Sequence, residues 1–470
     1  SFDSRLEQIQ VLLAMNLSLY KAVVYCVAML FTVELCAQQA VYFTNARIIV
    51  GNGEVFEQAT LYLDGDRITA VSEFAPDVIG NNEQIVDVTG KTIMPAMIDG
   101  HAHLGYQTHT TWHGDNYTRE NLLDNLQQYA WYGFAAVFSA GSDADDLVLQ
   151  IQSDQYAGRV DGARLLFAAG MAPPGQGPNN QFLVHTNSVA QRTGMTVLRG
   201  LASPQLAEQA ADEVAAKGID FIKIWVDDRN GSQQKLGPDV YRALMARASD
   251  HDIGVFVHQQ FVSDMPSLLD AGVTGFLHGR LGDEFSREIA EATARRGAFI
   301  VPNLGLGELR REAIGDDPFL RAVMSAGAAT RLAANGQRSR SPQYDADTER
   351  SLRASMARLL AAGVDIMLGT DAGGVADHPF GYTGHRELEI YVRLGLTPAQ
   401  AIEAATSIAA KHLGLDDLGT LAEGNSADFI ILSDNPLDDI RNTRSIEQVY
   451  LRGQAVNRDA LARSWRNGDD

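Results

Sequence analysis

Short apolar runs alternate with longer amphipathic stretches through the middle of the chain, from about residue 94 to 416. The alternation predicts strands that are each followed by a helix and packed as a parallel sheet. Eight runs share this pattern, at residues 92–98, 133–140, 164–169, 221–226, 254–258, 275–277, 299–302 and 365–369. Helical stretches between several of them cover residues 203–217, 239–249, 287–296 and 348–362. Eight repeats over roughly three hundred residues predict a (β/α)8 barrel with loop insertions. A doubly wound open sheet is the alternative, but no Gly-rich dinucleotide fingerprint follows an early strand.

The two ends of the chain show a different pattern, that of short strands joined by tight turns. Residues 41–50 and 59–63 surround a Gly-Asn-Gly turn, and residues 427–432 and 447–453 repeat that style near the other end. Such runs predict hairpins. We expect the two ends to pair into one small β-sandwich. The predicted domains are therefore a barrel over residues 94–416 and a sandwich built from residues 38–93 and 417–470.

The first 37 residues predict a secretory signal peptide rather than part of the fold. Lys21 precedes an apolar run at residues 22–33, which is too short to span a bilayer and is followed by Leu35-Cys36-Ala37. The signal would start at Met15 and be cleaved near Ala37. The alternative is a buried or amphipathic first helix, because Glu34 is unusual near a cleavage site. We therefore expect a periplasmic or secreted protein. Both cysteines of the chain fall in this segment, so the mature protein is expected to lack disulfides and thiolate metal sites.

Composition narrows the class of partner. The chain has 45% apolar residues, 43 glycines and a formal net charge of −21. An acidic surface repels nucleic acid and anionic membranes alike, so a small molecule or a peptide is the better substrate class. The sequence leaves the oligomeric state open, with a homo-oligomer among the options.

Several of the apolar runs end in polar side chains of the types that bind metal ions. The six positions are His101, His103, Lys223, His258, His278 and Asp371. Taken singly, each has an ordinary structural explanation, such as a hydrogen-bonded core histidine, a surface lysine or a helix cap. Burying such groups without partners costs roughly 2–7 kcal/mol each. Together they therefore favour a divalent metal, since imidazole and carboxylate are ligands of zinc and its neighbours.

This ordered pattern resembles the amidohydrolase superfamily. The pattern consists of a His-x-His pair on the first strand, a lysine on the fourth, histidines on the fifth and sixth and an aspartate on the eighth. A split β-sandwich flanks these strands. Within the superfamily the chain most resembles the imidazolonepropionase-related group that includes prolidase-like dipeptidases. The resemblance implies that His101, His103 and Asp371 hold one metal ion and that His258 and His278 hold a second.

The resemblance further implies that Lys223, carboxylated by carbon dioxide, bridges two divalent metal ions, for which zinc is the expected element. A metal-bridging hydroxide would attack the amide bond of a dipeptide or an N-acyl amino acid, with Asp371 as general base and then general acid. The alternative is hydrolysis of a cyclic amide, a lactone or a carbamate at the same metal site. A deaminase is less favoured because it leaves Lys223 without a role, and a noncatalytic barrel would be expected to have lost ligands.

Two residues are candidates for binding the substrate. Arg280 lies two residues beyond His278 and is expected to point into the same mouth, where it would bind a carboxylate. A salt bridge to Asp283 or Glu284 is the alternative. His185 ends a segment, residues 170–185, that we expect to be a long irregular loop, and by loop position it resembles a histidine that relatives use on the substrate carbonyl. The roles of four further histidines stay open, namely His109, His113, His378 and His385.

Overall fold

The computed structural model describes residues 40–74, 83–279, 281–282, 284–309, 314–338 and 346–467, with the backbone alone at 334–338. The predicted signal peptide at residues 1–37 and the predicted substrate ligand Arg280 lie outside these ranges. Among the helices within them, none is long and apolar enough to cross a membrane.

The strands of the described residues are short and fall into two groups, those of the chain ends and those of the middle. They are β1 (Ala40–Ile49), β2 (Val55–Asp64), β3 (Arg67–Ser72), β4 (Gln84–Asp87), β5 (Thr92–Pro95), β6 (Met97–Ala102), β7 (Phe134–Ser139), β8 (Arg164–Phe167), β9 (Ala169–Ala172), β10 (Leu198–Gly200), β11 (Phe221–Val226), β12 (Gly254–Gln259), β13 (Gly275–Leu277), β14 (Phe299–Val301), β15 (Phe429–Leu432), β16 (Ile446–Leu451) and β17 (Gln454–Ala455).

Helices follow most strands of the middle group. They are α1 (Arg119–Trp131), α2 (Asp145–Tyr156), α3 (Asn180–Thr193), α4 (Pro204–Lys217), α5 (Pro238–Ser249), α6 (Met265–Ala271), α7 (Arg287–Arg295), α8 (Leu304–Leu309), α9 (Pro318–Arg321), α10 (Ala326–Arg338), α11 (Ala346–Ala362), α12 (Tyr382–Leu394), α13 (Pro398–Ala404), α14 (Ser407–His412) and α15 (Arg458–Asn467). Short 3-10 helices lie at Gly114–Asn116, Val262–Asp264, Ile314–Asp316 and Ile440–Arg444.

The two ends of the chain are joined in one mixed sheet. Its strand order is β17-β16-β15-β5-β1-β2-β3, with β4 parallel to β1. The junction is antiparallel and pairs Phe429 with Pro95 and Leu432 with Thr92. Apolar side chains of both ends, Phe43 and Phe429 among them, form a buried cluster. The ends therefore pair as expected, although the hydrogen bonds connect them as one eight-stranded sheet. The exact domain boundaries stay a prediction.

The middle of the chain forms two parallel sheets. One has the order β10-β9-β11-β12-β13-β14 and the other the order β6-β7-β8. They meet at β8 and β9, which are two halves of one segment, since β8 pairs with β7 and β9 pairs with β11. On the other side, the segment that contains Asp371 touches both sheets through the parallel bridges Ile300↔Ile366 and Ala102↔Ala372. The strand predicted at 365–369 is thus present as isolated bridges rather than as a ladder. The carboxyl ends of all these strands lie on one side, where they position the site.

Local sequence explains where helices begin and end, as α4 illustrates. The Ser203 side chain accepts a hydrogen bond from the N–H of Leu206, and Pro204 occupies the first turn. Gly218 ends the helix in the left-handed conformation at φ 69°. Small apolar residues, Ala207 and Ala211 among them, form its buried face. Four predicted helices, α4, α5, α7 and α11, were found within two residues of their expected bounds.

Two expectations about local structure were wrong. The run at 92–98, expected as one strand, is divided at Ala96 between β5 of the mixed sheet and β6 of a parallel sheet. The segment 170–185, expected as a loop, contains the end of β9 and the start of α3. The physical reason is a cap, because the Asn179 side chain accepts a hydrogen bond of 3.0 Å from the N–H of Phe182. The first residues of helix α3, 180–182, lie beside the carboxyl ends of the parallel strands.

Candidate active site

The carboxyl ends of the parallel strands surround a cavity of about 490 Å³. Its lining residues come from the strand ends, from α3 and from the loops between them. They are His103, Pro178, Asn179, Asn180, Gln181, Phe182, Lys223, Trp225, Arg229, His258, His278, Leu306, Asp371, Gly374 and Val375. Five of the six predicted metal ligands line this cavity, and Nε2 of the sixth, His101, lies 3.6 Å from Asp371 Oδ1.

His101 and His103 are oriented by hydrogen bonds to one ring nitrogen each. The Nδ1–H of His101 donates to Asn303 Oδ1 at 2.9 Å, which leaves the lone pair on Nε2. Nδ1 of His103 is hydrogen-bonded to Ser142 Oγ at 2.7 Å. Both Nε2 atoms point to Asp371, at 3.6 Å from His101 and 3.1 Å from His103. A fixed ring with its second nitrogen turned inward is what a metal-binding histidine requires.

His278 and Asp371 approach the same point from two other strand ends. His278 Nε2 lies 3.6 Å from Asp371 Oδ2. One ligand atom each of His101, His278 and Asp371 lies within 4.8 Å of the other two. The backbone of His278 and Asp371 is left-handed, at φ 69° and 61°. That conformation costs an L residue about 1–2 kcal/mol, and here it accompanies side chains that converge at one point.

Lys223 reaches the cavity from β11, the strand at the centre of its sheet. Its neighbours Ile222 and Ile224 are buried on the opposite face, so strand alternation turns Lys223 inward. The side chain is fully buried, and Nζ has no hydrogen-bond partner among the described residues. Burial lowers the pKa of Lys223 to about 7, an effect that Asp371 opposes and the charge of Arg229 reinforces. A large fraction of this amine is therefore neutral near neutral pH.

Electrostatics favour the protonation states that metal ligation needs. Burial lowers the pKa of His101 well below its ordinary value, and burial also lowers the pKa of His103. Both shifts favour the neutral form of the imidazole. Burial alone raises the pKa of the Asp371 carboxyl, but His101, His103 and Lys223 more than offset it and hold the pKa well below its usual range. Asp371 is consequently an ionised carboxylate.

The ring of His258 is oriented by Asp227, a residue that is not one of the six predicted ligands. Its Nε2–H donates to Asp227 Oδ2 at 3.0 Å, so that ligation by this ring would use Nδ1. The ring centroid lies 4.6 Å from that of His278. Asp227 in turn forms an ion pair of 2.7 Å with Arg229. A carboxylate on the outer nitrogen is a common support for a metal-binding histidine.

The donor set fits divalent metal ions. Two buried atoms that point into the cluster, His101 Nε2 and Lys223 Nζ, have no hydrogen-bond partner among the described residues. Leaving such groups without a partner costs about 1–3 kcal/mol each, so a bound cation would relieve a real penalty. Imidazole nitrogens and a carboxylate are the ligands that zinc prefers among the common divalent ions.

Of the two predicted substrate ligands the structure describes His185, which it places outside this cluster. His185 lies on α3, where its Nδ1 accepts a hydrogen bond of 3.2 Å from the N–H of Gly114. Its ring packs against Trp112 and His113, with centroids 4.5 and 4.7 Å away. It is not among the residues that line the cavity. A role for His185 in substrate binding stays a prediction, as does that of Arg280, which lies outside the described residues.

Four residues that the sequence analysis passed over support the site. Asn303 orients His101 and also accepts a hydrogen bond from the N–H of His278 at 3.2 Å. Asp99 accepts hydrogen bonds from the His101 N–H, the Tyr129 hydroxyl and both donors of Thr370, and so ties β6 to the segment that carries Asp371. The other two are Asp227 and Arg229. A usable signal existed, because Asp99 precedes His101 by two residues and Asp227 directly follows β11.

Two of the histidines whose roles were open have structural partners. His378 Nε2 is hydrogen-bonded to the Thr370 carbonyl at 3.0 Å. His385 bonds Thr443 Oγ1 and the Tyr132 carbonyl, both at 2.9 Å. Both rings are fully buried and are not among the residues that line the cavity; His385 connects helix α12 to the end of α1 and to the 3-10 helix at Ile440–Arg444.

Histidines, a lysine and an aspartate that meet on one side of parallel strands define a candidate metal centre. Residues 92–456 match the model of the amidohydrolase family, and the chain belongs to this family.

Relatives of known activity agree with that assignment. The imidazolonepropionase of Deinococcus deserti is 40% identical over 102 residues, which are 22% of this chain and 25% of that relative. The chain thus spans about a quarter of that relative's length. Ochratoxinase of Aspergillus niger is 23% identical over 439 residues, 87% of this chain and 84% of the relative. The structure of a Xaa-Pro dipeptidase with bound methionine in the active site covers 88% of this chain and 99% of its own, at 22% identity and a TM-score of 0.68. The predicted resemblance to the imidazolonepropionase and prolidase-like group is confirmed.

Proposed function

We propose that this enzyme hydrolyses the amide bond of dipeptides or N-acyl amino acids and uses two divalent metal ions, with zinc as the expected element. The observation that carries the proposal is Lys223, a fully buried amine that lines the same cavity as His258, His278 and Asp371. Because its pKa is about 7, its neutral form can add carbon dioxide and give an anionic ligand with two oxygens. A single-metal site has no use for such a residue.

The six side chains divide between two cations in this proposal. His101, His103 and Asp371 would hold one, because Asp371 Oδ1 lies 3.6 Å from Nε2 of His101 and 3.1 Å from Nε2 of His103. His258 and His278 would hold the other, since their rings are adjacent. Carboxylated Lys223 would contact both. The proposal also includes closure of the two parallel sheets and residues 366–372 into one eight-stranded barrel.

Asp371 moves the proton in the proposed reaction. Bound cations would polarise the scissile carbonyl and lower the pKa of a coordinated water. The ionised carboxylate of Asp371 accepts a proton as the water oxygen adds to the carbonyl carbon. It then returns that proton to the amide nitrogen as the C–N bond breaks, so the products are a carboxylic acid and an amine.

The walls of the cavity favour a substrate that carries negative charge. Arg229 lies on the wall and supplies a guanidinium, which can bind a carboxylate in addition to its ion pair with Asp227. The exposed amide group of Gln181 offers hydrogen bonds to a peptide. A relative named Xaa-Pro dipeptidase has methionine bound in its active site, which is consistent with an amino acid product. Export to the periplasm or the medium stays part of the proposal.

Metal content and hydrolysis test the proposal together. Wild type and Lys223→Ala are purified with zinc and bicarbonate, metals are counted per chain, and a library of dipeptides and N-acyl amino acids is screened. Lys235→Ala is the matched control, because this lysine pairs with Asp264 at the surface at 2.8 Å. We expect about two metals in wild type and control, with loss of both metal and turnover in Lys223→Ala. One metal in all three proteins, or full turnover in Lys223→Ala, would refute the bridged centre and direct the screen to cyclic amides and deamination.

A further inference from the structure

The loop after β11 places an arginine in the cavity that neither the ligand set nor the proton transfer uses. Arg229 lines the cavity together with Lys223, His258 and His278. Its side chain is 16% exposed, and its charge is close enough to lower the pKa of Lys223. The backbone of Arg229 is left-handed at φ 51°, an uncommon conformation that the surrounding loop must stabilise.

The guanidinium is held in one orientation before any substrate arrives. Arg229 Nη1 donates to Asp227 Oδ2 at 2.7 Å and Nη2 donates to the Gly177 carbonyl at 3.3 Å. The backbone N–H of Arg229 donates to the other oxygen of Asp227 at 2.8 Å. Gln233 fastens this loop to the preceding one through the Pro178 carbonyl and Asn180 Oδ1, at 3.0 and 2.8 Å. A group fixed in this way binds a ligand with little further loss of entropy.

The position of Arg229 relative to the predicted ligands suits one part of the substrate. A single oxygen of Asp227 accepts hydrogen bonds from Arg229 and from His258, at 2.7 and 3.0 Å, so the guanidinium lies beside a predicted metal ligand. In a dipeptide or an N-acyl amino acid, the free carboxylate carbon is only two bonds from the amide nitrogen. Its anchor must therefore lie next to the metal ligands rather than at the far end of the cavity.

We propose that Arg229 binds the free α-carboxylate of the substrate and thereby restricts the enzyme to amides whose leaving amine is an amino acid. A guanidinium matches a carboxylate with two parallel hydrogen bonds, and such charge-assisted bonds are about twice as strong as neutral ones. Substrates with a blocked or extended carboxyl end lose this contact. The inference rests on the proposed function, since it assigns the specificity of the same site.

Matched acid and amide probes isolate this contact. Ala-Leu and N-acetyl-leucine are compared with their C-terminal amides as substrates of the metal-loaded full chain, and leucine is compared with leucinamide as a ligand by calorimetry. Arg229→Gln is expected to raise KM for the acids about ten- to a hundredfold and to weaken leucine binding likewise, with little change for the amides. Arg229→Lys, which keeps the charge but not the planar fork, is expected to be intermediate. Arg242→Gln is the control, because this arginine is exposed on α5 and bonds Ser267.

The outcomes separate this inference from the proposed function. Equal effects of Arg229→Gln on acid and amide probes, above all with loss of metal, overturn the inference and assign Arg229 to the support of His258. Equal binding of leucine and leucinamide by wild type, including no detectable binding of either, overturns it as well. If wild type cleaves no probe yet prefers leucine, and Arg229→Gln abolishes that preference, the carboxylate anchor stands and the dipeptidase function fails. If wild type cleaves acids and amides equally well, the hydrolase stands and the anchor fails.

Discussion

Replacement of Lys223 by methionine should stabilise the metal-free protein while it disables the metal-loaded one. The folded-state pKa of Lys223 is about 7, against 10.5 for the exposed side chain. Each pKa unit corresponds to 1.36 kcal/mol, so the buried ammonium costs roughly 4–5 kcal/mol of unfolding free energy. Methionine has a similar length and carries no charge, and it therefore removes this cost at little change in volume.

The penalty should depend on pH in a defined direction. Below about pH 7 the folded protein must carry the buried ammonium, so the full cost is present. Between pH 7 and 10.5 the unfolded chain binds more protons than the folded chain, and the stability of the wild type rises with pH. Above that range both states hold a neutral amine and the cost disappears. The gain from Lys223→Met should therefore be largest near pH 6, be much smaller near pH 10 and vanish above about pH 10.5.

Urea denaturation followed by tryptophan fluorescence measures this difference, on protein treated with chelator in buffer free of carbon dioxide. Lys235→Met is the control, because it removes a surface lysine that pairs with Asp264. We expect a higher midpoint for Lys223→Met than for wild type at pH 6 and none of this gain in the control. A Lys223→Met protein that is no more stable than wild type at pH 6, or an equal gain at pH 6 and pH 10, would refute the reasoning.

Three further predictions concern the site. Asp371→Asn should lower kcat about 10²- to 10⁴-fold, because an amide neither accepts nor returns the proton. Steady-state kinetics and metal analysis of the variant test this. An unchanged kcat at full metal content would contradict it. Asp227→Asn should weaken zinc binding at one of the two metal sites about 10- to 100-fold, because His258 loses its carboxylate partner. Calorimetric titration with zinc measures both affinities. Two unchanged affinities would show that Asp227 does not support His258 as a ligand. Gly141→Ala should reduce the amount of bound metal, because the new Cβ would lie 2.7 Å from Lys223 Cβ. Gly158→Ala is the control and should keep the wild-type metal content, because Gly158 also has a positive φ but its Cβ would have no atom within 4 Å. Equal metal content in those two alanine variants would show that Gly141 does not position the lysine.

The sequence allowed much of the scaffold and the types of ligand to be predicted, because both follow from short-range periodicity. Strand β11 was expected at residues 221–226 and was found there. Alternation along a strand turns every second side chain to the same face, and the last polar residue of a parallel strand lies at the edge where the others end. His103, Lys223 and His278 could therefore be assigned to one mouth without any knowledge of the fold.

Only the tertiary structure decided which groups support those ligands. His101 and Asn303 are separated by 202 positions in the chain, and no periodic pattern links them. Arg229 reaches the cavity because a left-handed turn and a contact with Gly177 redirect its loop, which strand alternation does not anticipate. Helix α3 likewise depends on the Asn179 cap within a segment rich in Gly and Pro. Local preferences determine strands and helices, whereas the partners of a buried polar group depend on which distant segments the packed core brings together.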